Sequence, residues 1–423
     1  MTNNIIITID YETWHPACER DIAIMKKMGL KINWEEDIFN PTYKLLDCAD
    51  KVGAKLTIMA EMGEYFWLKE NNLEIAKKIA KQLQEVICRG HDVQLHLHPH
   101  WMPETGATCD NNGEWHGDIE YASANEYPYD LIELIGRCKK ELESIICVVK
   151  PEYRVTCFRA GGYRVQPFKR LYEALVKNEI ICDTSVFAKG KATDRDYDFS
   201  MCKDGNHPYY LSSNNPAVCD KNNNNMIEMP IYSMNDGKRW MMDGDMQEVL
   251  AYVFFEQEDS DIKDENFFVM VGHSKEKHNY DSLEKQWELL ASMPQNKWIT
   301  LNEAVEIAKD RQCDFEDDLL KKEDIIEVYK RIKDVSNNKK NLDMIIFLLW
   351  LKKNGCKIKR AKIYARGYKK QLIEIFNKKE TILIDIDKEN IYEVSLKEFM
   401  KNKRNIKDRL FCLYICIMNK KEL

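Results

Sequence analysis

The chain has 423 residues and a formal net charge of −7, with 44% hydrophobic, 31% charged and 10% aromatic residues. That length suits two or three domains, or one large α/β barrel with an extension, and the composition excludes disordered, collagen-like and disulfide-stapled chains. Its longest apolar runs, 344–351 and 410–418, fall far short of the roughly 18–20 residues that span a bilayer, so no transmembrane segment is expected.

The first predicted element is a buried strand over 5–10, ended by an acid, Asp10. No basic stretch precedes its short apolar run, so it does not read as a signal peptide, and a cytoplasmic protein is expected. The 14 cysteines are scattered without a CxxC pair and are expected as reduced thiols, mostly filling the core. Helical spacing follows over 41–52, an apolar run over 55–60, and an amphipathic helix over 73–88 that Arg89-Gly90 ends. Strands are predicted over 91–97, 155–158, 180–183, 267–272 and 298–301. Helices are predicted over 129–149, 167–177, 246–255, 282–292 and 302–309. This alternation implies a parallel sheet, open or closed into a barrel. The polar stretch 188–225 breaks the rhythm and reads as a long loop or insertion.

Beyond residue 310 the character changes. Residues 1–310 hold 35 basic and 52 acidic side chains, whereas residues 311–423 hold 28 and 18. The tail therefore reads as a separate basic unit, mainly helical (317–333 and 342–353), with a hairpin over 381–386 and 391–394. It has no histidine and is expected to supply no catalytic or metal-binding group. Its basic faces suit an acidic partner, such as lipid headgroups at a membrane surface or the acidic barrel itself, or simple solvation.

Four of the nine histidines fall within ten residues, His91, His96, His98 and His100, in GHDVQLHLHPHW. They stand where a parallel strand ends, the edge on which α/β folds build their sites. Imidazoles in such numbers suit Zn²⁺ or a similar divalent ion. His91 precedes the strand and is expected as a structural partner. Strand parity puts His96, His98 and His100 on one face, whereas a helical turn after Leu97 would pair His96 with His100; Pro99 disfavours a regular strand. Asp10 and Glu12 share i, i+2 parity, which allows one to bind the ion and the other to take a proton from water. Arg159, followed by Ala160 and two glycines, can fix a carboxylate. Asp183 and His273 end two further strands. The order is acid pair, histidine cluster, arginine, aspartate and histidine, each at the end of a successive predicted strand.

That order resembles the polysaccharide deacetylase (NodB-homology) family, over about residues 3–309. The family's five motifs are similar to TIDYET (8–13), HDVQLHLHPH (91–100), FRAGGY (158–163), DTS (183–185) and MVGH (270–273). The resemblance implies a distorted (β/α)7-type barrel that hydrolyses the acetamide of an N-acetylated sugar. It places the catalytic base on Asp10, the metal ligands on Glu12, His96 and His100, with His98 secondary. It places the base-steadying arginine on Arg159, the support of the late histidine on Asp183 and the catalytic acid on His273. Tyr11 stands where the family usually has its metal aspartate, Leu97 replaces a Ser or Thr, and the third motif lacks its prolines, as in a divergent intracellular branch. The implied cofactor is a divalent metal, Zn²⁺ first and Co²⁺, Ni²⁺ or Mn²⁺ otherwise. The implied substrate is a nucleotide- or lipid-linked intermediate of surface polysaccharide, with no nucleic-acid partner and an oligomeric state left open. Tyr163, Trp14 and Trp101 are candidates to stack on a sugar ring. Two other readings stay open: an amidohydrolase or phosphoesterase built on His96-x-His98, and a non-catalytic metal- or glycan-binding relative.

Overall fold

Strand β1 (Thr2–Tyr11) is buried along almost its whole length; Ile5, Ile6, Ile7 and Ile9 are fully enclosed. Apolar, β-branched side chains on both faces suit the centre of a parallel sheet, and each enclosed isoleucine stabilises the fold by roughly 1.5–3 kcal/mol. The computed structural model describes residues 2–202, 205, 207–233, 239–242, 265–309 and four later strands between 357 and 393. The chain divides into two units, residues 1–253 with 260–315, and residues 254–259 with 316–423.

In the first unit, β1 leads through α1 (Glu19–Met28) and α2 (Asn40–Val52) to β2 (Leu56–Glu61). Next come α3 (Met62–Asn71), α4 (Leu73–Cys88) and β3 (Asp92–Leu97). Asn72 caps α4 by accepting from the Ile75 N–H, and the helix lays Ala76, Ile79, Leu83 and Val86 on the sheet at helical spacing. A small ribbon, β4 (Thr108–Cys109) with β5 (Trp115–His116), precedes α5 (Leu131–Ile146), β6 (Cys157–Ala160), α6 (Lys169–Lys177) and β7 (Cys182–Asp183). The stretch expected as a loop instead contains short strands: β8 (Lys191–Ala192), β9 (Tyr197–Asp198), β10 (Tyr209–Ser212) and β11 (Asn215–Cys219). Their brevity hides them from any periodicity. β12 (Ile227–Glu228), β13 (Glu265–His273), α7 (Tyr280–Ala291), β14 (Asn296–Trp298) and α8 (Leu301–Ala308) complete the unit. The helix expected over 246–255 lies outside the described residues.

The sheet order is β11-β10-β12-β7-β6-β3-β2-β1-β13, with β14 also paired to β1. β10 runs antiparallel to its neighbours; the other pairings along this path are parallel. Bridges from Ile231 to both Phe187 and Val269, and from Met241 to Val271, bring the chain after β12 against β13. The sheet thus curls into a half-barrel, in keeping with the distorted (β/α) barrel expected. The ends of β1, β2, β3, β6 and β13 fall on one rim. Among the described residues no helix is long and apolar enough to cross a membrane, and the ten described cysteines form no disulfide.

The described part of the second unit is an antiparallel meander of β15 (Lys357–Ala365), β16 (Tyr368–Asn377), β17 (Glu380–Asp385) and β18 (Asn390–Glu393). The predicted hairpin corresponds to β17 and β18. β15 and β16, which pair along nine positions, are strands that no pattern in the sequence announced. The helices expected over 317–333 and 342–353 lie outside the described residues.

Candidate active site

Parallel register delivers the site. Asp10 on β1 lies beside His273 on β13, and His96 on β3 lies between Glu61 on β2 and Arg159 on β6. Asp10, Glu12, His96, His98, His100, Arg159 and Asp183 are all buried. Burial of this many polar groups is costly unless they bond one another or an ion.

Arg159 is fully enclosed. Its Nη1 donates to Asp10 Oδ1 at 2.8 Å, Nε to the Thr184 carbonyl at 2.9 Å and Nη2 to Thr184 Oγ1 at 3.2 Å. Burial alone would raise the Asp10 carboxyl, but Arg159, His96 and His273 outweigh it and hold it below the usual carboxylate range. Asp10 is therefore ionised at neutral pH. His273 Nε2 stands 3.7 Å from Asp10 Oδ2 and 3.9 Å from Glu12 Oε1.

Glu12 is the hub. Its Oε2 lies 2.9 Å from His98 Nε2, 3.1 Å from His96 Nε2 and 3.5 Å from His15 Nε2, and its Oε1 accepts from Lys275 Nζ at 2.7 Å. Burial pushes its carboxyl up, but Lys275, His98, His15 and His96 prevail and lower it well below the usual range. His96 donates its Nδ1–H to the Arg159 carbonyl, 2.9 Å away, which fixes its ring and leaves Nε2 for Glu12 or an ion. Burial would lower His96, yet Asp10, Glu12 and Glu61 raise it to about 9; burial lowers His98 to about 4.

Glu12, His96 and His98 each offer one ligand atom within 4.8 Å of the others, and His15, His98 and His100 form a second such set. Buried His15 and His100 have no hydrogen-bond partner on either ring nitrogen, nor has His98 on Nδ1. Carboxylate and neutral imidazole are donors for Zn²⁺ and its first-row neighbours, so these residues fit a divalent cation.

The geometry sets His98, not His100, beside His96 at Glu12. The chain is still extended at His98 (φ −112°, ψ 94°), so strand parity carries it onto the face of His96. Pro99 then starts a tight turn, Pro99–Trp101, that takes His100 towards His15 and Trp115, with ring centroids 5.2 and 4.9 Å apart. Gly161 explains part of the FRAGGY pattern. A Cβ there would lie 2.4 Å from His98 Nδ1, so the imidazole packs where a side chain would stand. Gly161→Ala should displace His98 and reduce cation affinity by at least about tenfold, read by competition with a chelating indicator. Unchanged affinity would show that His98 holds no ion.

Asp183 Oδ1 accepts from Ser185 Oγ at 2.7 Å, and Glu228 is its register neighbour on β12; Asp10 and Glu12 lie within 4 Å of His273. Burial raises Asp183 to about 6, and burial with Asp183 beside it raises Glu228 well above the usual range. A raised carboxyl contributes stability in full below its unfolded pKa and loses it as pH rises through the folded value, so Asp183 loses its share between about 4 and 6. Glu228→Gln keeps a donor and removes the second charge. It should raise Tm at pH 8 by about 2 °C or more and give little at pH 5; an equal gain at both pH values would sink this account.

Trp101 is a correction. It is 0% exposed and packs edge-on against His15 and Trp67, so no ring face is open to a sugar. Tyr163 is buried against Phe187 with Arg239 over its ring, its hydroxyl without a partner, and Trp14 is half-buried under Lys275. His91, the expected structural partner, accepts from the Leu56 N–H and meets Asp50. Sequence reading missed His15, Lys275, Glu61, Glu64 and Glu228. His15 had a signal, three residues after Glu12. Glu61 had another as the last residue of a strand; it accepts from the His98 N–H at 2.7 Å, and burial raises it to about 7. Glu64, bonded to Thr13 N–H and Trp34, is raised by burial and Glu61 to about 8.

No family model and no curated protein matches the chain. Among solved structures it is similar to a protein assigned as a polysaccharide deacetylase from Mycobacterium smegmatis, at 12% identity and TM-score 0.43, covering 75% of this chain and 95% of that one. It is similar to 4-alpha-glucanotransferase from Thermococcus litoralis at 11% identity and TM-score 0.42, covering 92% and 68%. A family 4 acetyl xylan esterase from Clostridium thermocellum, in complex with a cobalt ion, gives 13% identity and TM-score 0.31 over 72% and 91%. All three are likenesses of shape at low identity.

Proposed function

We propose that the chain is a metal-dependent deacetylase that hydrolyses the acetamide of an N-acetylated sugar, a nucleotide- or lipid-linked intermediate of surface polysaccharide assembly. The observation that carries this reading is the meeting, on one sheet rim, of an ionised Asp10–Arg159 pair, a Glu12–His96–His98 donor set and His273 within 4 Å of both carboxylates. The sugar comes from the motif resemblance. A divalent cation, Zn²⁺ first, held by Glu12, His96 and His98 supplies a Lewis acid to an amide carbonyl. Asp10 takes the proton of the attacking water, and Arg159 keeps it charged to do so. His273 approaches from the neighbouring strand and gives a proton to the departing nitrogen. Lys275 offsets the negative charge of Glu12 and can meet a substrate oxygen.

One observation favours a second reading. Adjacent His96 and His98 at one carboxylate are the His-x-His pairing of amidohydrolase and phosphoesterase sites. The test is a metal assay with a screen of N-acetylated sugar nucleotides and N-acetylated sugar phosphates for acetate and phosphate release. Acetate release by the cation-loaded protein, abolished by chelation and restored by cation, supports deacetylation; phosphate release alone supports the second reading. Alanine at Glu12, His96 or His98 should each strip most of the cation, and alanine at His100 should strip less. Retention by the Glu12 and His96 variants would remove the basis of both readings.

A further inference from the structure

We propose that His15 is a fourth ligand of the cation, so that the centre is one carboxylate and three imidazoles: Glu12, His15, His96 and His98. This rests on the reading of a metal centre given above and adds a ligand outside the five motifs.

Geometry leads the argument. His15 Nε2 lies 3.5 Å from Glu12 Oε2, the same oxygen that His98 Nε2 approaches to 2.9 Å and His96 Nε2 to 3.1 Å. Three imidazole nitrogens therefore converge on one carboxylate oxygen. Donors about 2.0–2.2 Å from a shared ion stand roughly 3–3.5 Å from one another, and each of the three nitrogens keeps about that spacing from the shared oxygen. His15 Nε2 is within ligand distance of Glu12, and His98 is common to the Glu12–His96–His98 and His15–His98–His100 sets, so the two sets adjoin at one imidazole and one carboxylate.

Burial supplies the second argument. The His15 side chain is 1% exposed, and neither ring nitrogen has a hydrogen-bond partner. An imidazole so placed forfeits about 1–3 kcal/mol for each unsatisfied group. A bound cation satisfies Nε2. The ring is held for that task by edge-on packing against His98, His100 and Trp101, with centroids 4.3, 5.2 and 5.8 Å away. Its chain position serves the same end. Glu12 ends the run that β1 began, and His15 follows at i+3, so one short segment carries two donors.

The donor count has a consequence for the ion. Four protein donors close a tetrahedral shell, which is the pattern of a structural zinc site, whereas a catalytic ion keeps a place for substrate or water. A centre of one carboxylate and three imidazoles that also works on substrate therefore takes five or six ligands. Co(II) bound to the full chain should accordingly show the weak visible bands of five- or six-coordination rather than the intense bands of a tetrahedron.

The test loads the full chain with Zn(II) or Co(II) alone. It measures affinity by competition with a chelating indicator, stoichiometry by elemental analysis and imidazole count by X-ray absorption. The wild type should hold one ion with three imidazoles. His15→Ala should hold it with two imidazoles and at least about 100-fold more weakly, beyond the loss expected for an outer partner. His15→Cys, which restores a donor, should recover most of the affinity and show one sulfur ligand; this variant also separates ligand loss from misfolding. His100→Ala should stay within about tenfold of wild type. Equal affinity and three imidazoles in His15→Ala would overturn the proposal and leave the Glu12–His96–His98 centre standing. Two ions per chain would overturn it in favour of a separate His15–His98–His100 site. A wild type that binds no cation would overturn both this ligand and the metal reading beneath it.

Discussion

Asp10→Asn should lower turnover by roughly 10²-fold or more, about 2.7 kcal/mol of barrier, while the protein keeps most of its cation. The substitution keeps the shape of the side chain and one acceptor for Arg159. It removes the group that can accept a proton from water. Asp10 is suited to that work because Arg159, His96 and His273 hold it ionised in spite of burial. It is not the hub of the donor set, since the imidazole nitrogens gather on Glu12. His273→Ala should bring a loss of similar size by removing the donor to the leaving nitrogen. Together the two groups should give a bell-shaped dependence of turnover on pH, and each variant should lose one limb of it. Turnover is read as acetate released, scored against cation content and folded fraction. Near-normal turnover in either variant with the cation present would mean that the roles rest on other residues.

The order of the site residues was legible because parallel strands end on one rim. An acid, a histidine cluster, an arginine and a histidine, each closing a strand, must then converge. Arg159 and Asp10, 149 positions apart, meet at 2.8 Å for this reason. What stayed hidden depends on features with no period. His98, rather than His100, lies beside Glu12 because the strand conformation persists one residue past β3 and Pro99 then turns the chain. Glu228 reaches Asp183 from a two-residue strand that no pattern announces. Trp101 reads as a binding aromatic until the turn that bears it is known to face inward. Lys275 was masked by its place beside a better signal, His273.

Arg159→Met should cost the first unit roughly 3–5 kcal/mol, because it leaves the Asp10 carboxylate buried without its partner. The arginine is 0% exposed and all three of its nitrogens are bonded, so methionine fills part of the volume and replaces none of the charge. Tm should fall by about 10 °C at pH 8. The sign of the pH effect follows from Asp10. In the wild type its folded pKa is depressed, so the pair's contribution is present at neutral pH and is lost only as pH falls through that low value. In the variant, burial is left opposed only by His96 and His273, and the Asp10 pKa rises. A protonated Asp10 is cheaper to bury, so the penalty should shrink as the pH is lowered to 5. Asp10→Asn gives the complementary arm, since it leaves the Arg159 charge buried alone. The double variant removes both charges and should be more stable than the sum of the single losses by about 1–3 kcal/mol, measured by denaturant unfolding at pH 8. Strict additivity, or a penalty for Arg159→Met that is the same at pH 5 and pH 8, would show that Arg159 acts through packing and its bonds to Thr184 rather than by holding the Asp10 charge.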